Sequence, residues 1–177
     1  AQNGMVVAQE AMAARVGADI LKAGGNAIDA AVATGFAMAV TYPRAGNIGG
    51  GGFMIIHLAK EKKNIAIDYR ETAPAAITKE SFLDNLGNAD PQKSIFSGLG
   101  VGVPGTVAGL ALAHRKYGSG KFTLAQLLEP AIKLARDGFI VDGDLADTFA
   151  SARPLFQKWP SSTKVFLKPD GQSYGQG

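Results

Sequence analysis

The 177-residue sequence contains no cysteine, which excludes disulfides, thiol nucleophiles and thiolate metal ligands. It leaves the compartment open, because cysteine-free chains occur inside and outside cells. Histidine is almost as scarce. His57 falls in a strand pattern, and His114 falls late in a helical one, where the helix dipole accounts for it. No serine–histidine pair and no metal-ligand spacing can be built from these two residues, so no metal or cofactor is expected. Charge of one sign is missing too: 18 Lys and Arg against 15 Asp and Glu leave a net +3. Lys60, Lys62 and Lys63 cluster, but Glu61 interrupts them, as in a solvated hairpin tip. A nucleic-acid partner is not expected. Long apolar runs are absent as well. The stretch from Ala27 to Val40 is too short and too rich in Ala and Gly to cross a bilayer core of about 30 Å. It reads as a buried helix, and no membrane span is expected.

The residues that are present suffice for one domain with a real core over 1–177, since 46% are hydrophobic. The chain starts Ala1-Gln2-Asn3-Gly4 without an initiator methionine, as processing or trimming would leave it, and no remaining signal peptide is expected within it. Gln9 to Ala23 has helical periodicity, with Met12, Val16, Ile20 and Leu21 on one face, and Gly24-Gly25 ends it. Asn26 caps a second helix, with Asp29 three residues on. Small residues on all its sides predict close packing against a sheet or another helix. Phe53–Ala59 and Ile65–Tyr69 read as strands joined by a hairpin at Lys60–Asn64. The continuously apolar Phe53-Met54-Ile55-Ile56 predicts burial on both faces. A short helix is expected from Thr78 to Asn85, then loop to Gly102. Pro104-Gly105 opens a helix that Gly118 ends. Thr123 and Gln126 form a capping box for a helix through Arg136, which Pro130 is expected to kink or split. Asp144 is expected to cap a further helix that Pro154 disrupts, and Pro169-Asp170-Gly171 forms a turn.

Between the second helix and the first strand lies Asn47-Ile48-Gly49-Gly50-Gly51-Gly52. Both flanks look buried, so a flexible linker does not fit. The glycines are expected to supply positive φ and close backbone approach. The pattern Gly100-Val101-Gly102-Val103-Pro104-Gly105 matches a dinucleotide fingerprint in letters only. No convincing core strand precedes it and no acidic residue follows about 20 positions on. It is better read as a turn that brings a helix N-terminus close to neighbouring backbone. Gly118-Ser119-Gly120-Lys121 imitates the end of a phosphate loop but continues with Phe122 and lacks the first glycine.

Among residues that could carry chemistry, Arg70 comes first. It follows a strand ending Ile67-Asp68-Tyr69, at a sheet edge, and its guanidinium fork matches a carboxylate bidentately. An ion pair with Asp68 or Glu71 is the simpler reading of the residues alone. Asp68 and Glu71 could act as an acid/base pair or, more plainly, orient Arg70. Thr72 and Thr106 have no base near them in sequence.

Five motifs in register carry a resemblance. They are Gly24-Gly25-Asn26-Ala27-Ile28-Asp29-Ala30-Ala31-Val32-Ala33, the Asn47–Ile56 run, Ala66-Ile67-Asp68-Tyr69-Arg70-Glu71-Thr72-Ala73-Pro74, Val103-Pro104-Gly105-Thr106-Val107-Ala108-Gly109, and Leu134-Ala135-Arg136-Asp137-Gly138-Phe139. From about Asn3 to about Asp147 the chain resembles the gamma-glutamyltransferase (gamma-glutamyl transpeptidase) family. The resemblance implies an α+β fold, an αββα four-layer sandwich of the N-terminal nucleophile hydrolase type, of which this chain supplies the N-terminal portion of a large subunit. It implies an autoprocessed zymogen, periplasmic or secreted. The partner would be a small subunit from the same precursor, whose N-terminal threonine is nucleophile and base together. No catalytic residue is then expected in this chain, and Arg70 is implied as the grip on the alpha-carboxylate of the gamma-glutamyl group. The implied reaction is hydrolysis or transfer of a gamma-glutamyl group from glutathione, glutamine or related amides to water, amino acids or peptides. Alternatives are a related acylase acting on glutaryl amides, of the cephalosporin acylase type, and a non-catalytic homologue used as a binding subunit.

Overall fold

The computed structural model describes residues 1–177. Seven α-helices and one two-stranded antiparallel sheet follow in the order α1 (Ala11–Lys22), α2 (Ala27–Thr41), β1 (Phe53–Leu58), β2 (Lys63–Asp68), α3 (Pro91–Phe96), α4 (Thr106–Tyr117), α5 (Leu124–Asp137), α6 (Gly143–Phe156) and α7 (Pro160–Phe166). Short 3-10 turns cover Lys79–Phe82 and Gly98–Gly100. The architecture is α+β, and no helix is long and apolar enough to cross a membrane.

The helix α2 is the centre of the packing, touching α1, α4 and α5. Its small residues allow this: Ala30, Val32, Ala33 and Phe36 join Ile20, Leu110, Ala113, Leu127 and Ala131 in one core. Its start is held by an Asn26–Asp29 capping box, with Asn26 Oδ1 accepting from the Asp29 N–H at 2.9 Å and Asp29 Oδ2 accepting from the Asn26 N–H at 3.0 Å. The same residues then tie α2 to the end of α4. Asn26 Nδ2 donates to the Tyr117 carbonyl at 2.8 Å, and the Ser119 N–H donates to the fully buried Asp29 carboxylate at 3.1 Å. The Ser119–Lys121 turn is thus occupied with a helix junction. His114 Nε2 lies 2.8 Å from the Phe122 carbonyl and fastens the following loop.

The hairpin is tighter than expected. Lys62 adopts φ 51° in the left-handed region, so Lys63 and Asn64 already pair with Leu58 and His57. The register puts Met54, Ile56, Ile65 and Ile67 on one face, against the helices, and Phe53, Ile55, His57, Asn64, Ala66 and Asp68 on the other. The expectation of burial on both faces is therefore corrected within this chain. Ile56 is 5% exposed, whereas Phe53 is 62% and Ile55 73% exposed. Apolar side chains on the outer face have no cover from residues 1–177.

Other boundaries also differ from the sequence reading. The expected helix over 78–85 is only the 3-10 turn at Lys79–Phe82. The expected loop contains α3, capped by Asp90 with Pro91 at its first position; α7 also starts on a proline, Pro160, but without a side-chain cap. Asp142, not Asp144, caps α6, its Oδ1 accepting from the Leu145 N–H at 2.8 Å. Pro130 does not split α5, and Pro154 falls in the last turn of α6, which runs on to Phe156. A proline removes one helical donor, and the surrounding bonds carry both helices past it.

Candidate functional site

Three of the sequence motifs meet at the open end of the hairpin. Beyond Asp68 the chain continues β2 irregularly: the Tyr69 N–H donates to the Gly52 carbonyl at 3.0 Å, and the Gly52 N–H to the Tyr69 carbonyl at 3.4 Å. On the other side, the Val103 N–H donates to the Thr72 carbonyl at 2.8 Å, so Thr72 and Val103 form an isolated antiparallel bridge. The segment 69–72 is thus held between the glycine run and the stretch leading into α4. The latter two are joined directly. The Gly50 carbonyl accepts from both the Gly105 N–H at 2.8 Å and the Thr106 N–H at 3.0 Å, satisfying free donors at the start of α4.

Asn47 completes the joint. Its Oδ1 accepts from the Gly50 N–H at 2.7 Å and from the Thr106 hydroxyl at 2.8 Å. This residue escaped the sequence reading. The available signal was an Asn three positions before a glycine, the pattern of a side chain closing its own turn. The glycines act differently from expectation as well. None of Gly49–Gly52 lies in the left-handed region. Close approach to backbone is what Gly51 provides: a Cβ there would sit 2.6 Å from the Tyr69 carbonyl oxygen and from the Glu71 nitrogen. The same holds at Gly105, where a Cβ would overlap the Tyr69 carbonyl. The reading of the Gly100–Gly105 stretch as a turn that brings a helix start against backbone agrees with this geometry.

Arg70 sits in the middle of the clamped segment. Its backbone N–H donates to Asp68 Oδ1 at 3.0 Å, while its side chain is 69% exposed. The expected carboxylate partners divide their roles: Asp68 holds the backbone, and Glu71 Oε2 lies 3.9 Å from Arg70 Nε, a loose pair. Such an exposed pair contributes little stability. The guanidinium borders a cleft of about 300 Å³, lined also by Glu71, Thr72, Pro74, Phe82 and Leu99. Its fork is open to an anionic group. Next to it in the chain, burial pushes the Tyr69 phenol above its ordinary value.

No nucleophile with a base is assembled here. The Thr106 hydroxyl is engaged by Asn47, Thr72 is exposed, and each imidazole is turned elsewhere, His57 to Asn64 Oδ1 and His114 to the Phe122 carbonyl. The motifs at 24–33 and 134–139 lie away from this joint, in α2 and around the end of α5, which pack on each other.

Comparison with known proteins agrees with the motif series. The family model described as gamma-glutamyltranspeptidase matches residues 13–177. The glutathione hydrolase proenzyme of Escherichia coli (strain K12) is 57% identical over the whole chain. The chain spans 30% of that relative's length. Among solved structures, Helicobacter pylori gamma-glutamyltranspeptidase superposes with a TM-score of 0.95 at 47% identity, over 100% of this chain and 50% of that one. A cephalosporin acylase from Bacillus halodurans superposes with a TM-score of 0.81 at 31% identity, over 99% of this chain and 32% of that one. On this evidence the chain belongs to the gamma-glutamyltranspeptidase family.

Proposed function

We propose that this chain is the N-terminal part of the large subunit of an enzyme that hydrolyses or transfers gamma-glutamyl groups, and that Arg70 binds the alpha-carboxylate of the donor. The observation that carries this reading is the exposed, loosely paired guanidinium at the end of β2, on the rim of a cleft and with its backbone clamped on both sides. The nucleophile comes from elsewhere in the precursor, as an N-terminal threonine whose own amine serves as base. The outer face of the hairpin, with Phe53 and Ile55 uncovered, is one inner surface of an αββα sandwich whose second sheet belongs to the rest of the precursor. The protein is made as a self-cleaving zymogen and works in the periplasm or outside the cell.

Three anilide donors test the role of Arg70 in the processed enzyme. The gamma-glutamyl anilide carries both carboxylate and amine, the 4-aminobutanoyl anilide lacks the alpha-carboxylate, and the glutaryl anilide lacks the alpha-amine. Wild type prefers the first over the second. Arg70→Ala abolishes that preference, at a cost of roughly 3–5 kcal/mol for leaving a bound carboxylate without its partner. Arg70→Lys restores only part, because an ammonium lacks the fork. Equal slowing of both donors by Arg70→Ala refutes the assignment. The likeness to the cephalosporin acylase supports a second reading, action on glutaryl amides. Turnover of the glutaryl donor above the gamma-glutamyl donor favours it.

A further inference from the structure

We infer that Asn47 is a positioning residue for Arg70, acting with Thr106 as a clasp that sets where the guanidinium stands; this rests on the reading of Arg70 as the carboxylate-binding residue. Arg70 has little of its own to fix it. Its side chain is largely in solvent and its ion pair with Glu71 is 3.9 Å long. Its orientation therefore comes from its backbone, and that backbone is held by two segments distant in sequence. Tyr69 is bonded to Gly52 on one side, and Thr72 to Val103 on the other. If these segments slide apart, Arg70 moves.

Asn47 links the two. A side chain that only closed the turn into the glycine run would need just the bond from the Gly50 N–H. The second bond on the same oxygen comes from Thr106, 59 residues away, at the first position of α4. Thr106 is 8% exposed, so its hydroxyl is largely sheltered from competing water, whereas Asn47 itself is exposed. The Gly50 carbonyl, gripped by the Gly105 and Thr106 N–H groups, runs parallel to this link. Together they lock the glycine run to α4 with 69–72 between them. Only the acceptor oxygen of Asn47 enters the clasp; its Nδ2 donates at 3.2 Å to the Ala45 carbonyl nearby.

The test uses the full-length processed enzyme with the gamma-glutamyl and 4-aminobutanoyl anilides, and reads the ratio of their kcat/KM values. Thr106→Val, which removes one hydrogen bond, lowers that ratio roughly fivefold, and Asn47→Ala, which removes that bond and the one from the Gly50 N–H, lowers it at least as far. Asn47→Asp, which keeps the acceptor oxygen, and Thr106→Ser, which keeps the hydroxyl, hold the ratio near wild type. In an Arg70→Ala background, Asn47→Ala changes the ratio no further. A general loss of structure slows both donors together and leaves the ratio unmoved. If Arg70→Ala collapses the ratio and neither Asn47→Ala nor Thr106→Val does, the clasp is refuted and the reading of Arg70 stands. If Arg70→Ala itself leaves the ratio intact, the underlying reading fails and the inference falls with it. Should Asn47→Ala not mature, Thr106→Val against Thr106→Ser decides alone.

Discussion

The glycine run holds two positions that should answer the same substitution with opposite sign. At Gly51 an added Cβ would meet the Tyr69 carbonyl oxygen and the Glu71 nitrogen at 2.6 Å, and Glu71 Oε2 at 2.7 Å. Ordinary contact begins at 3.4 Å, so backbone on either side of Arg70 must retreat by roughly 0.8 Å. That backbone is held by the Gly52–Tyr69 and Thr72–Val103 bonds and yields at a cost. Overfilling a fitted site costs about 1–3 kcal/mol. Alanine recovers about 0.4–1 kcal/mol by restricting the unfolded chain, which leaves a net loss of up to about 2.6 kcal/mol. At Gly49 nothing lies within 4 Å and φ is outside the left-handed region, so only the gain remains. Urea denaturation of full-length Gly51→Ala and Gly49→Ala, compared by midpoint at constant slope, measures both. The reasoning fails if the two midpoints coincide, or if Gly51→Ala raises its own. Gly51→Ala should also weaken the preference for carboxylate-bearing donors, because the strain falls on the residues flanking Arg70.

Two further outcomes follow from the same geometry. Burial raises the Tyr69 pKa above the ordinary 10.0, so the folded state favours the neutral phenol. The stability from this preference is complete below pH 10.0 and lost as pH rises through the higher folded value. Tyr69→Phe should therefore unfold less readily at alkaline pH relative to its own neutral-pH stability; superimposable circular dichroism titrations would refute this. Ile55→Glu places a charge on the outer sheet face. If a second sheet covers that face in the full-length protein, the variant loses several kcal/mol and matures poorly; a change within about 0.5 kcal/mol means the face is solvated there too.

Helix ends were the most legible part of the fold. The Asn26–Asp29 and Thr123–Gln126 capping boxes form as their spacing requires, because each bond closes over three residues and needs no help from distant chain. The position of Arg70 was legible too, since a strand pattern ending one residue earlier puts it at the hairpin's open end. The short helices α3 and α7 carried a cap or a proline signal but too little periodicity to stand out in a loop-rich stretch. Continuous apolar character in Phe53–Ile56 could not distinguish a strand covered on both sides by its own chain from one whose outer face is left open.

The sequence by itself determined the Asn26 and Thr123 caps, the close-packed small-residue helix α2, the hairpin and the family. Tertiary structure alone decided what the glycines and Asn47 do. Negative φ throughout Gly49–Gly52 shows that the run is not there for a left-handed turn. At Gly51 and Gly105 the Tyr69–Glu71 backbone approaches too closely for a Cβ, and at Gly50 and Gly52 the Asn47 and Tyr69 side chains do. The Asn47–Thr106 bond spans 59 residues, so no local pattern encodes it. It forms only when α2, the hairpin and α4 have packed and brought their loops to one end of the sheet.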